Sequence, residues 1–325
     1  MEQDRPNPRQ KPLNHSISGS VLWQWRQDAI ATCHNHAIPP VEVDWLLQSL
    51  TDLDRLALRL GYFQSQPTVA SALPFDELQS WWQQRIDARL PIQYLVGQME
   101  WRQFTMAVAP AVLIPRPETE LIIDLAIAAT THDNLASGHW VDLGTGSGAI
   151  ALGLADVFPT AQVHGVDCSA EALAIAQHNA NMNGLGSDLS GSNLGTSPRD
   201  RAMNPIQWHQ GSWFSPFEDH PIRFNGIVSN PPYIPSAMVL DLQPEVVNHE
   251  PHLALDGGKD GLDCLRHLIQ TAPQYLAPHG VLLMEMMAGQ ADRVVSLLQQ
   301  QSNYDRIEVH PDLAGMDRFV SAYRQ

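Results

Sequence analysis

The stretch Asp142-Leu143-Gly144-Thr145-Gly146-Ser147-Gly148-Ala149 decides the fold. It closes the apolar run Trp140 to Leu143 and opens Ala149 to Val157, a segment with helical patterning. A buried strand that turns through glycines into a helix is how an open parallel sheet presents a ligand loop at the carboxyl end of a strand. Glycine permits positive φ and close approach of a ligand to the backbone. A second apolar run, Val163 to Val166, ends at Asp167, nineteen positions beyond Gly148, where a carboxylate can accept hydrogen bonds from ribose hydroxyls. Gly144, Gly146 and Ala149 also satisfy the dinucleotide pattern G-x-G-x-x-[GA], and a glycine turn without any ligand is the plainer alternative. Asp142 and three glycines at every second position favour S-adenosyl-L-methionine, which has no pyrophosphate to cradle.

Outward from this loop, short apolar runs alternate with amphipathic segments. Gly226 to Ser229 and Val281 to Met284 read as further buried strands, and Ala170 to Met182, Leu262 to Tyr275 and Gln290 to Gln301 as helices. Repeated strand-helix-strand units predict an α/β domain with a mostly parallel sheet covered on both faces. Ile307 to His310 and Phe319 to Tyr323, joined across Gly315, predict an antiparallel hairpin at the sheet edge. The domain is expected over 114–325, with a surface insertion at 184–205 that is rich in Gly, Ser, Asn and Asp. Over 18–92 the apolar spacing is helical, as in Val43, Leu46, Leu47 and Leu50, and predicts a small helical bundle. Near-alternation from Tyr94 to Val112, with Gly97 as the turn, predicts a linking β-hairpin over 93–113. Residues 1–17 are expected to be a disordered tail.

The second motif is Asn230-Pro231-Pro232-Tyr233, directly after Gly226 to Ser229 and so beside the glycine loop in a doubly wound sheet. Two prolines fix φ and remove two donors, leaving the Asn230 and Pro231 carbonyls free for a ligand. Such an arrangement suits methyl transfer to a planar, nearly non-basic nitrogen, a carboxamide or an exocyclic amine. If the Asn230 side-chain oxygen and the Pro231 carbonyl accept both N–H bonds, they orient the nitrogen and stabilise its developing positive charge. A proline turn after a strand is the structural alternative. Tyr233 would wall the acceptor pocket or pack in the core, and Trp213 would flank an adenine or pack in the core.

The chain has 325 residues and a net charge of −16, which argues against a broad basic face for duplex nucleic acid. No apolar run approaches the roughly 18 residues of a membrane helix. Cys33, Cys168 and Cys264 lie far apart, which predicts neither a disulfide framework nor a thiolate zinc site and favours a reducing compartment. Fourteen histidines show no metal-ligand spacing and read as solvated side chains; no metal is expected. His249-Glu250 reads as structural, and Arg116 as meeting either an acidic group on a substrate or a carboxylate in a surface ion pair.

With both motifs in hand, the chain resembles the HemK/PrmC family, the release factor glutamine methyltransferases. Arg89-Leu90-Pro91-Ile92-Gln93-Tyr94-Leu95-Val96-Gly97, Ile114-Pro115-Arg116-Pro117-Glu118-Thr119-Glu120, the glycine loop, Asn230 to Tyr233, Glu250-Pro251, Asp260-Gly261-Leu262 and Asp312-Leu313-Ala314-Gly315 carry the likeness over almost the whole chain. Ser212 stands where many relatives carry an acidic residue, and Met287 where they carry glycine. The resemblance implies a class I S-adenosylmethionine-dependent methyltransferase fold, Rossmann-like with seven strands, beside the N-terminal bundle. It implies cofactor contacts at Gly144, Thr145, Gly146, Ser147, Gly148, Asp167, Trp213 and Asn230. Acceptor contacts and catalysis fall to Asn230, Pro231, Pro232 and Tyr233. The implied reaction methylates the glutamine side-chain nitrogen of the Gly-Gly-Gln motif in class 1 peptide release factors, in support of translation termination. The partner is then a protein; no direct nucleic acid and no membrane contact, a cytoplasmic setting and a monomer are the further expectations. Asn-Pro-Pro-Tyr also occurs in adenine and cytosine amino methyltransferases, so a nucleic-acid N6-adenine methyltransferase is the alternative. A non-catalytic binding module and a nicotinamide enzyme leave the second motif without a task.

Overall fold

The computed structural model describes residues 12–130, 135–186 and 204–325. Residues 1–11 of the expected tail and 187–203 of the expected insertion lie outside the described residues. The chain divides into two compact units, with the boundary between Gln98 and Met99.

The first unit is helical, as its spacing predicts. It runs through β1 (His15–Ile17), α1 (Gly19–His36), α2 (Val41–Leu50), α3 (Arg55–Leu60), β2 (Val69–Ser71), α4 (Phe75–Asp87) and α5 (Ile92–Val96). Its core gathers the inward faces of these helices: Leu22, Trp25, Val43, Leu46, Leu50, Leu78 and Trp82. Two expectations are corrected. His15–Ile17 is not tail but a strand, paired antiparallel with β2 through His15↔Ser71 and Ile17↔Val69. Tyr94 to Val96 is not strand but the end of α5, which Pro91 starts and Gly97 stops in a left-handed conformation, its N–H capping the Gln93 carbonyl. Gly97 therefore ends a helix rather than turning a hairpin.

The hairpin itself is β3 (Gln98–Trp101) and β4 (Phe104–Ala107). It is no detached linker, because Trp101, Phe104 and Met106 are buried in the core of the second unit with Ile122, Trp140, Ile150 and Leu154. That unit continues through α6 (Leu121–Ala129), β5 (Gly138–Leu143), α7 (Ala149–Val157), β6 (Ala161–Asp167), α8 (Ala170–Met182), β7 (Gln207–Gln210), β8 (Phe224–Ser229), α9 (Ser236–Val239), α10 (Pro244–His249), α11 (Asp263–Thr271), β9 (Leu276–Glu285), α12 (Ala291–Gln300), β10 (Tyr304–Pro311) and β11 (Asp317–Arg324).

Seven strands form one sheet in the order β10-β11-β9-β8-β5-β6-β7. β6, β5, β8 and β9 run parallel, and β11 lies antiparallel to both β9 and β10. Successive residues of β5 go to opposite faces, Trp140 to a core with α6 and α7, Val141 to a core with α11 and α12. Gly226 lets this sheet close, since a Cβ there would stand 2.2 Å from the Trp140 ring on the neighbouring strand. Strand order reverses at β5, between β8 and β6, so loops leaving the carboxyl ends of β5 and β8 share one crevice.

Candidate functional site

The glycine loop leaves β5 at that crevice and is pinned at several points. Gly144 and Thr145 both donate their N–H to the Val166 carbonyl at 2.9 Å. Asn179, fully buried on α8, donates through Nδ2 to the Ser147 carbonyl at 2.9 Å and to the Ala107 carbonyl at 3.0 Å, and accepts the Ala107 N–H. Thr145 and Ser147 are themselves buried. Gly146, at φ +53°, points its missing Cβ into open space. That is the cradle a bound group would fill.

Two carboxylates face the loop. Asp167 Oδ2 accepts the Gly146 N–H at 2.8 Å, and its Oδ1 accepts the Ser169 N–H at 2.9 Å, fixing the side chain at the end of β6. Asp142 Oδ2 accepts from the Thr145 hydroxyl at 2.5 Å and from the Ala151 N–H at 3.1 Å. Its Oδ1 is buried with no protein partner, and burial pushes its carboxyl up to about 7. A buried acceptor left open beside this cradle fits a ligand that brings its own donors and positive charge. Trp213, held at φ +52° after β7, lays its ring against Gly144 and 6.2 Å from the His267 ring.

Asn230 to Tyr233 follow β8. Ser229, the last residue of that strand, donates its hydroxyl to the Leu143 carbonyl at 2.7 Å, tying the two strand ends together. Asn230 and Tyr233 line a pocket of about 140 Å³ with Leu113, Arg116, Val246 and Leu255. Pro231 is buried, and the Pro232 carbonyl lies 2.8 Å from where a Cβ on Gly257 would stand. Gln290 Nε2 donates to the Tyr233 carbonyl at 2.9 Å and fixes the end of the motif.

Residues outside the Asn230 to Tyr233 motif brace it, Thr119 from the 114–120 segment and Glu285, which no quoted motif contains, from the end of β9. Asn230 Nδ2 donates to Thr119 Oγ1 at 3.2 Å, Thr119 donates to Glu285 Oε2 at 2.7 Å, and the Tyr233 hydroxyl donates to Glu285 Oε1 at 3.0 Å. Glu285 is 1% exposed, and burial raises its carboxyl above the ordinary range. Burial and the adjacent Glu285 raise the Tyr233 phenol as well, so it stays protonated and donates. Arg116 pairs with Glu250, which is buried, so the pair is partly sheltered rather than a surface contact. The histidines are not all solvated: His164 is buried and joined to His139 and His209 at 3.0 Å on either side. Among the described residues, no group of three or more His, Cys, Asp or Glu side chains is placed to hold a metal ion.

A doubly wound sheet with a pinned glycine loop and an Asn-Pro-Pro-Tyr corner at adjacent strand ends defines a methyltransferase, and the methyltransferase small domain family matches residues 124–259. The chain is 48% identical to the release factor glutamine methyltransferase of Synechocystis sp. over 94% of its length and 97% of that protein. It is 44% identical to that of Thermosynechococcus vestitus, over 94% and 99%. It belongs to the release factor glutamine methyltransferase family. Among solved structures, the hMettl16 catalytic domain in complex with a 3′UTR hairpin matches at 12% identity and a TM-score of 0.50, covering 86% of this chain and 88% of that one, which concerns the fold alone.

Proposed function

We propose that this protein methylates the side-chain amide nitrogen of the glutamine in the Gly-Gly-Gln motif of class 1 peptide release factors, using S-adenosyl-L-methionine. The near full-length kinship with release factor glutamine methyltransferases supports this substrate. The observation that carries the chemistry is Asn230 at the pocket, its amide NH₂ already bonded to Thr119 and its oxygen left for an acceptor. The net charge of −16 supports a protein partner over the nucleic-acid alternative. Dispersed free cysteines support a cytoplasmic setting, and we take the working unit to be a monomer.

S-adenosyl-L-methionine, when bound, supplies a methyl group made electrophilic by its sulfonium. Asp167 would hold its ribose hydroxyls, Gly144 to Gly148 would admit it close to the backbone, Asp142 would balance its positive charge, and Trp213 would flank its adenine. Asn230 Oδ1 and the Pro231 carbonyl accept the two N–H bonds of the acceptor amide, and Tyr233 walls it. Holding that weak nucleophile in line replaces a bimolecular encounter, an effect worth up to roughly 7–11 kcal/mol in favourable cases. No general base is needed before attack, because the alkylated amide is a strong acid and loses its proton to water.

The test incubates the purified protein with methyl-labelled cofactor and either release factor or RNA, followed by peptide mapping. Label on the Gly-Gly-Gln glutamine is expected. Label in RNA with none in that peptide overturns the assignment.

A further inference from the structure

Behind Asn230 lies a hydrogen-bonded relay whose polarity has a chemical consequence, an inference that rests on the reading above and deepens it. The members come from distant parts of the chain: Thr119 before α6, Glu285 at the last position of β9, and Asn230 and Tyr233 after β8. Thr119 is 5% exposed and Glu285 1%, so water does not compete for these bonds. A threonine hydroxyl has one proton to give. Thr119 gives it to Glu285 Oε2 at 2.7 Å, while Tyr233 gives its own to Oε1 at 3.0 Å, so both carboxylate oxygens are engaged by donors. What Thr119 turns toward Asn230 is then a lone pair, and only the NH₂ end of the Asn230 amide can meet it, as it does at 3.2 Å.

We propose that Thr119 and Glu285 are positioning residues that lock the Asn230 amide with its NH₂ inward and its oxygen toward the acceptor, so that the site selects a nitrogen with protons to donate. An asparagine side chain is nearly symmetric in shape, and packing alone does not distinguish its two ends. With the amide turned over, two NH₂ groups would face each other and the acceptor would lose one of its two oxygens. The lock acts on the reacting step and leaves the cofactor loop untouched, since neither Thr119 nor Glu285 bonds to Gly144 to Gly148 or Asp167.

Full-length protein with release factor and cofactor provides the test. Thr119→Val keeps the shape and removes both bonds. The expected loss is about tenfold in kcat, the equivalent of one hydrogen bond, with Thr119→Ser recovering most of it. KM for the release factor and Kd for the cofactor stay within about twofold, the signature of an interaction felt in the transition state. Thr119→Ala is expected to behave as the valine variant and serves in its place should that one not fold. Wild-type kcat in the variant lacking the hydroxyl, a serine variant as slow as the valine, or a loss confined to cofactor affinity each overturns the lock. Hydrogen exchange of the Asn230 side-chain amide, followed by NMR on ¹⁵N-labelled protein, reads the relay without turnover. It is expected to quicken in Thr119→Val and not in Thr119→Ser, and an unchanged rate overturns the lock. Wild-type protein that methylates no release factor while showing the expected exchange removes the functional reading and leaves the lock standing.

Discussion

Arg116 Nη2 donates to both carboxylate oxygens of Glu250, at 2.8 and 2.9 Å, joining two pocket-side segments 134 residues apart in sequence. The carboxylate side chain is 1% exposed and the guanidinium 32%. Burial raises Glu250's carboxyl and Arg116 opposes that rise, so the pair holds a charge in a place that would otherwise reject it. Arg116→Ala removes the charge that balances that carboxylate and leaves it the backbone hydrogen bond from Ile114. We expect destabilisation on the order of 2 kcal/mol, below the ~3–5 kcal/mol of a fully buried pair because the guanidinium keeps contact with water. A shift in urea midpoint checks this, and Glu250→Gln in the Arg116→Ala background is expected to recover part of it.

Cofactor binding and transfer should separate by residue. Asp167→Ala removes a carboxylate that holds the Gly146 and Ser169 amides, and cofactor affinity is expected to fall tenfold or more, roughly one hydrogen bond to a charged group. Asn230→Ala is expected to bind cofactor nearly as wild type and to lose on the order of 10²–10³ in kcat, as when one preorganised polar group is removed. Calorimetric titration beside single-turnover rates reads both; wild-type turnover in Asn230→Ala contradicts the role given to it.

The relay behind Asn230 needs Glu285 as a carboxylate. Protonated, Glu285 becomes a donor to Thr119, whose own proton then faces Asn230 and turns the amide over. Burial lifts this carboxyl above the ordinary range, Glu118 adds to the rise, and Thr119, Tyr233 and Arg318 oppose it. Single-turnover rates should therefore fall on the acid side at a pH above that of a solvated glutamate. The residual rate of Glu285→Gln should lack that limb. An acid limb at the same pH in both proteins assigns it elsewhere.

Acid should also loosen the fold through the histidines. His164 is buried between His139 and His209, and burial first, then these neighbours, push its pKa down to about 3. Its folded pKa lies below the unfolded value near 6.5, so the stability it confers is full above about pH 6.5 and drains as pH falls below that. The slope approaches about 1.4 kcal/mol per pH unit for one proton between those limits. Urea midpoints at pH 7 and pH 5 should differ more in the wild type than in His164→Leu.

Most of the sheet was legible because its signals are local. Trp140 to Leu143 and Val163 to Val166 are apolar runs bounded by glycine and aspartate, and Ala149 to Val157 and Ala170 to Met182 are the helices observed, residue for residue. What escaped depends on partners far along the chain. Ile17 is a strand residue only because Val69 pairs with it. Tyr94 to Val96 alternate as a strand would, yet Pro91 and Gly97 bracket them as one helical turn. Asn179 looks like any polar residue on a helix until Ala107 and Ser147 come within its reach. Glu285 closes an apolar run and reads as a strand end; nothing nearby announces that it receives Thr119 from 166 positions away.

The bond from Ser229 to the Leu143 carbonyl makes the two loops depart from a single joint. A change that re-tilts one of them is transmitted to its neighbour at the first residue. Anyone wishing to graft this chemistry onto another parallel sheet would have to transplant both strand ends as one piece, since a corner moved alone would arrive without the partner that sets its angle.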